Sequence, residues 1–281
     1  MSNKNKLLRL TESIYSRPHL ISDAGFAAIS HYLDSRNMGI ILMGDEEGVE
    51  YVTPKPQATG KVGLLNVHGA LTYKPVMGMC GAVGTSYEQL LADASELIDM
   101  GVKLIVMDCD SGGGEGYGAF ETADELRKMC DEAGVRWIAY NDGVTASACY
   151  ALACAADEVI SNPAAETGSI GVLIALVNNS KALEMNGYTR TFISAGESKI
   201  PFDADGEWKP DFLAGLQAKV DAMYAQFVAH VSKNTGMSEE DVRGTQAKMF
   251  MAEEALKLGL VNKVMTRAEF IDYIATQTQG L

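Results

Sequence analysis

The chain has 281 residues, 47% of them hydrophobic, enough to bury a large core as one α/β domain or as a domain with an appendage. Its formal net charge of -14, with no long basic run, argues against nucleic acid and against an anionic membrane surface as partners. No segment reaches the roughly 20 uninterrupted apolar residues of a membrane span, and the N-terminus, with Lys4 and Lys6 before Leu7 and Leu8, has no apolar run suited to a signal peptide.

Residues 1–37 hold helix-like segments, chiefly Asp23 to Leu33, where Phe26, Ala27, Ile29 and Leu33 make a rough apolar face. Gly44 to Gly60 then mixes acids, two prolines and glycines, which reads as a linker or surface excursion. A boundary near residue 58 is expected, with an N-terminal helical arm and linker over 1–58 and the main domain over 59–281.

From there the pattern alternates. Val62 to Val67 is a short apolar run, and Ser86 can cap a helix through Met100, whose Leu90, Leu91, Ala94, Leu97 and Ile98 share one face. Lys103 to Asp108 is the next strand. A glycine turn leads to a helix from Phe120 to Ala133 that Gly134 stops. Val135 to Tyr140 and Glu158 to Ser161 read as strands on either side of a small-residue helix at Ser147. Ile170 to Ala175 and Thr189 to Ser194 continue the series, followed by a long helix from Pro210 to Lys233 and a strand-helix pair over Leu260 to Thr276. Nearly all-apolar strands alternating with helices predict βαβ units around a buried parallel sheet, an α/β fold.

Two turns in this pattern can carry chemistry. Asp108 to Gly118 holds five glycines, and a Gly-rich strand-to-helix turn can aim backbone N–H groups at an anion, a phosphate or the oxyanion of an acyl transfer. It lacks both the Gly-Lys-Ser/Thr of a phosphate loop and the spacing of a dinucleotide fingerprint; a plain flexible turn is the alternative. Ser147, among Ala146, Ala148, Cys149 and Ala151, stands at the first turn of a helix. Small neighbours admit a substrate backbone, and the helix N-terminus offers N–H groups to a developing oxyanion. The other reading is a cap on a tightly packed helix.

A nucleophilic serine needs a base. The histidines are His19, His31, His68 and His230; none lies in the 80 residues after Ser147, although His68, ending a strand, could reach the site. A lysine serves as base where burial disfavours its ammonium form, and Lys199 stands beside Ile200 and Phe202; otherwise it is a solvated surface lysine. The cysteines Cys80, Cys109, Cys130, Cys149 and Cys154 form no CxxC pair and have no histidine at ligand spacing. They read as free thiols of a reducing compartment, with no zinc site, and the protein is expected in the cytoplasm.

Together these pieces resemble the signal peptide peptidase A (SppA) family of serine peptidases, relatives of the Clp protease and crotonase fold. The resemblance runs over most of residues 62–265. Ala156-Asp-Glu-Val-Ile-Ser-Asn-Pro-Ala-Ala-Glu-Thr-Gly-Ser-Ile-Gly-Val172 is similar to the family's A-D-x-I-x-A-N-P-x-x-x-T-G-S-I-G-V stretch. Glu254-Ala-Leu-Lys-Leu-Gly-Leu-Val261 resembles its closing E-A-x-x-x-G-L-V segment.

The resemblance implies that Ser147, in an A-x-S-x-x-Y context, is the nucleophile and that Lys199, in G-x-x-K, is the general base of a Ser-Lys dyad. Asp110-Ser-Gly-Gly-Gly114 corresponds to the family's D-S-P-G-G oxyanion turn, with Gly112 in place of proline. The implied oxyanion donors are the N–H groups of Gly114, or of Gly113, and of Ala148; Thr167 and Ser169 either orient the lysine or form a structural turn. No metal and no cofactor is implied. The partners are protein or peptide substrates and copies of the chain itself, in a homo-oligomeric ring whose interface completes the dyad.

The arm, with Arg17-Pro-His-Leu-Ile21, and the run Gly81 to Tyr87 are closer to the phage branch, the capsid assembly or head maturation proteases. Capsid, scaffold and portal proteins in the host cytoplasm are then the expected substrates. A soluble cellular peptidase, a crotonase-like acyl-CoA enzyme and a non-catalytic assembly module are the competing readings.

Overall fold

The computed structural model describes residues 17–37, 56–75, 77–78, 81–82 and 84–278. Much of the expected arm and linker, residues 1–16 and 38–55, and Cys80 lie outside the described residues. In chain order the strands are β1 His19–Ile21, β2 Gln57–Thr59, β3 Val62–His68, β4 Leu71–Thr72, β5 Met77–Gly78, β6 Gly81–Ala82, β7 Thr85–Ser86, β8 Leu104–Ser111, β9 Gly113–Glu115, β10 Arg136–Ala146, β11 Glu158–Ser161, β12 Glu166–Gly168, β13 Met249–Met251 and β14 Lys263–Val264. The helices are α1 Asp23–Asn37, α2 Tyr87–Asp99, α3 Ala119–Ala133, α4 Ala148–Ala153, α5 Ser180–Met185, α6 Pro210–Thr235, α7 Glu239–Gly244, α8 Ala252–Leu258 and α9 Arg267–Thr278.

The fold is α/β, as the alternating pattern predicts. The main sheet runs β13-β12-β10-β8-β3-β2, with β11 and β14 continuing from β10. β3, β8 and β10 are parallel, and the crossovers between them contain α2 and α3. Ser86 opens α2 by accepting the Gln89 N–H at 3.2 Å, which satisfies one of the free donors of a first turn. Gly134 closes α3 at a φ of 61°, a left-handed cap that glycine adopts without steric cost. A smaller sheet, β1-β9-β4-β7, stands beside the first.

Apolar residues cover both faces of the main sheet. On one, α2, α3 and α4 pack against Leu65, Val67, Ile105, Met107 and Trp137 in the larger core. On the other, Leu104, Val106, Ile138, Tyr140 and Ile160 meet Phe270 of α9. The Phe270 ring stacks on Tyr140 with centroids 4.0 Å apart. Beside that stack, Glu158 accepts the Tyr273 hydroxyl at 2.7 Å and pairs with Arg136 at 3.2 Å and with Lys263. Burial pushes its carboxyl up, but the hydrogen bonds from Lys263 and Tyr273 outweigh burial and hold it below the usual glutamate value.

Three elements depart from the sequence pattern. The strand expected over Val135 to Tyr140 runs on to Ala146, because Asn141 and Thr145 are buried inside the sheet despite their polarity. Ile170 to Ala175 is not a strand; only Leu173 pairs, through a single bridge to His19. Thr189 to Ser194 is exposed and joins no ladder; only Phe192 and Ile193 in it are apolar, and a segment with no neighbour to receive its hydrogen bonds does not hold strand geometry.

Phe270 fastens α9 through one buried ring. Phe270→Ala should lower the unfolding free energy by about 3 kcal/mol, read from the midpoint of urea denaturation. A change under about 1 kcal/mol would mean that the polar Glu158 cluster alone holds the helix.

Candidate active site

The site is assembled by the pairing of β8 with β10. Their register holds from Arg136 opposite Leu104 to Asn141 opposite Cys109, then shifts so that Thr145 faces Ser111. The extra residues of β10 are held by Asp110, whose Oδ1 accepts the Val144 N–H at 3.2 Å. A Cβ on Gly143 would come within 2.6 Å of the same oxygen. The shift carries the ends of both strands, the glycine turn 112–116 and Ser147, to one edge of the sheet.

Ser147 sits where β10 turns into α4, with φ 55° and ψ -116°. Few non-glycine residues adopt that conformation, and holding one there costs of order 1–3 kcal/mol. Its N–H donates to Gly168 O at 2.9 Å and its carbonyl accepts the Ala151 N–H at 2.9 Å, so the backbone on both sides is fixed. The side chain is 0% exposed, and its Oγ has no hydrogen-bond partner among the described residues. It occupies the N-cap position without capping. Strain, burial and the absence of a capping bond set this serine apart from an ordinary helix cap. The N–H of Ala148, in the first turn of α4, has no acceptor within the helix and faces the same end.

The glycine turn lies against this serine. Gly113 has a φ of 96°, and its N–H donates to Ser111 Oγ at 3.1 Å. A Cβ on Gly113 would stand 3.0 Å from Ser147 Cβ, and one on Gly114 would stand 1.9 Å from Leu71 O. Backbone therefore approaches backbone here with no room for a side chain. The Gly113 N–H is held within the turn by Ser111; Gly114, the other candidate donor, lies opposite Leu20 of β1.

Thr167 and Ser169 flank the serine on its other side. Thr167 lies opposite Thr145 on β12, and its hydroxyl accepts Asn141 Nδ2 at 2.9 Å. Ser169, with a φ of 54°, donates its N–H to Lys248 O at 2.9 Å. Ser147, Ala148, Gly113, Gly114, Thr167 and Ser169 are thus gathered into one small region. Lys199 is not. It ends a short 3-10 turn, Glu197–Lys199, in an exposed stretch and makes no hydrogen bond to Ser147 within the chain.

No histidine completes a triad either. His68 pairs with Asp108, Nε2 to Oδ2 at 3.3 Å; that hydrogen bond, opposed by burial and helped by the charges of Asp108, Asp110 and Asp142, raises its pKa above the ordinary value. His230 is spent on structure. Its Nε2–H donates to Ala151 O at 2.8 Å, tying α6 to the helix that Ser147 opens, and desolvation holds its pKa down. Asn141, buried and donating to Thr167, Ser161 and Glu166, is a supporting residue that no sequence motif marks.

The model of peptidase family S49 matches residues 130–279. Capsid assembly protease C of Escherichia phage lambda is 29% identical over 277 residues, covering 93% of this chain and 62% of that protein. Head-tail preconnector protein GP5 of Enterobacteria phage P21 is 28% identical over 222 residues, 76% of this chain and 43% of that protein. The chain thus spans less than two thirds of the length of these relatives. Among solved structures, the ClpP protease catalytic domain from Plasmodium falciparum is similar with a TM-score of 0.42 at 10% identity, covering 72% of this chain and 84% of that one.

Two outcomes follow from the geometry. Ser147→Ala deletes a buried hydroxyl that lacks a partner, so unfolding stability should hold or rise by up to about 1 kcal/mol; a loss larger than that in a denaturant titration would reveal a hidden bond to Oγ. His68 should titrate above 6.5 by NMR and fall on Asp108→Asn. Its contribution to stability is fully present below pH 6.5 and is lost as pH rises through the folded-state value.

Proposed function

The chain belongs to peptidase family S49, and from that membership we propose that it is a serine endopeptidase in which Ser147 and Lys199 form the dyad. The observation that carries the reading is Ser147 itself, strained at a strand-to-helix turn with its Oγ buried and without a partner. Lys199 takes the Ser147 hydroxyl proton as Oγ attacks a peptide carbonyl. The N–H groups of Gly114 and Ala148 receive the oxyanion. Lys199 passes the proton to the leaving amine, and water, deprotonated by the same lysine, releases the acyl group from Ser147. Thr167 and Ser169 orient the lysine. Every step uses groups of the protein and water alone.

In this reading the lysine arrives from a neighbouring copy in a ring. Its support is the exposed stretch that bears Lys199, in which Met185 is 88% and Ile193 98% exposed alongside Val177, Tyr188 and Phe192. Apolar surface concentrated in this way marks an interface. Residues 59–281 form the peptidase domain, with 1–58 as its arm and linker. The substrates are capsid, scaffold or portal proteins in the host cytoplasm, by analogy with the phage relatives named for capsid assembly and head-tail connection.

Ser147→Ala and Lys199→Ala should each lower peptide cleavage by at least about a thousandfold, with cut ends in capsid, scaffold and portal proteins mapped by mass spectrometry. If the dyad spans an interface, an equimolar mixture of the two dead variants should recover about a quarter of wild-type activity, the share of interfaces that pair an intact serine with an intact lysine. A mixture that stays inactive after subunit exchange would place both residues in one chain. Activity retained by Lys199→Ala would point to His68 as the base instead.

A further inference from the structure

The segment Pro18–Ser22 lies between the glycine strand of the candidate site and Leu173, with His19–Ile21 as strand β1. On one side β1 runs antiparallel to β9, with Leu20 opposite Gly114 and Ile21 opposite Gly113. The flanking backbone bonds are Ser22 N–H to Gly112 O at 2.7 Å and Gly116 N–H to Pro18 O at 3.2 Å. Bonded pairs alternate along an antiparallel ladder, so Leu20 and Gly114 form the bonded pair between them. On the other side His19 exchanges two bonds with Leu173, N–H to O at 2.8 Å and O to N–H at 3.0 Å. The even-numbered residues thus bond to the glycine strand and His19 to the chain after Ser169.

The placement against Ser147 is equally specific. The point where a Gly113 side chain would begin lies 2.2 Å from Leu20 O and 3.0 Å from Ser147 Cβ. The Leu20 side chain is fully buried, beside Gly116, whose own Cβ would meet Leu20 Cγ at 3.2 Å and Met223 Sδ at 2.6 Å. Gly112, where the resembled turn has proline, is where a Cβ would come within 2.8 Å of Ser22 Oγ. The glycine that departs from the pattern therefore makes room for this segment.

We propose that Pro18–Ser22 is a built-in occupant of the peptide-binding cleft, paired in the register of a substrate, with the Leu20 carbonyl on the Gly114 N–H where a scissile carbonyl would be polarised. This rests on Ser147 being the nucleophile. An incoming peptide with an apolar residue at the Leu20 position must displace this segment by strand exchange, since both edges it needs are already filled. The occupied cleft is the resting state of the chain.

The test uses the full chain as wild type, Leu20→Asp and the milder Leu20→Ala. Two quantities are followed: the rate at which a fluorophosphonate labels Ser147, by intact mass, and amide exchange over residues 112–116 and 171–174. Leu20→Asp should lose exchange protection on both edges and label about tenfold faster, with Leu20→Ala between it and wild type. Excess free peptide of residues 16–24 should restore protection and slow labelling again. Exchange that shows both edges open while labelling stays at the wild-type rate would overturn the proposal, as would failure of the peptide to restore protection. If no variant is labelled but the peptide still restores protection, the occupancy stands and the nucleophile reading falls. Should Leu20→Asp not fold, Leu20→Ala and the peptide decide by the same criteria.

Discussion

The ladder between β8 and β10 is the constraint on which the site depends. Parallel strands share a direction, so the end of β8 and the end of β10 arrive at the same edge of the sheet. One strand delivers the glycine turn and the other delivers Ser147. The register shift after Asn141 sets how far each overshoots, and Asp110 stabilises that shift by accepting the Val144 N–H. Without it, the serine and the glycines would be offset along the strand axis by the rise of the extra residues. The strain at Ser147 is sustained by the same frame, because its N–H and carbonyl are both bonded to neighbours that cannot yield.

The alternation of strands and helices was legible because periodicity reports burial, and the buried faces of α2 and α3 repeat at helical spacing. Ser147 and the glycine turn were legible as a motif. What the motif could not convey is conformation: a serine before Ala148 reads equally as a cap, and only its φ and its unbonded Oγ separate the two. β1 was hidden for a different reason. Three residues carry no periodicity, and the pairing that makes them a strand lies some 90 residues away along the chain, at Gly113 to Glu115. Ile170 to Ala175 misled in the opposite sense, since apolar composition signals burial without specifying a ladder.

Polar residues that sequence patterns treat as surface also shape the interior. Asn141 and Thr167 link β10 to β12 through the middle of the sheet, next to the stretch in which Thr167 and Ser169 stand. His230 does comparable work from α6, where its Nε2 lies 2.8 Å from the Ala151 carbonyl oxygen. These contacts couple the site to the periphery through hydrogen bonds whose loss would leave buried groups unpaired, a cost larger than the bond itself contributes.

α6 gives this coupling a length. It spans 26 residues from Pro210, a rod of about 39 Å. At one end Phe212 stacks on Trp208, and Trp208 on Phe202, beside the stretch that carries Lys199; at the other, His230 grips the helix that Ser147 begins. Lys199 and Ser147 are therefore referenced to opposite ends of one stiff ruler. A displacement at either end would be carried along this one helix to the other.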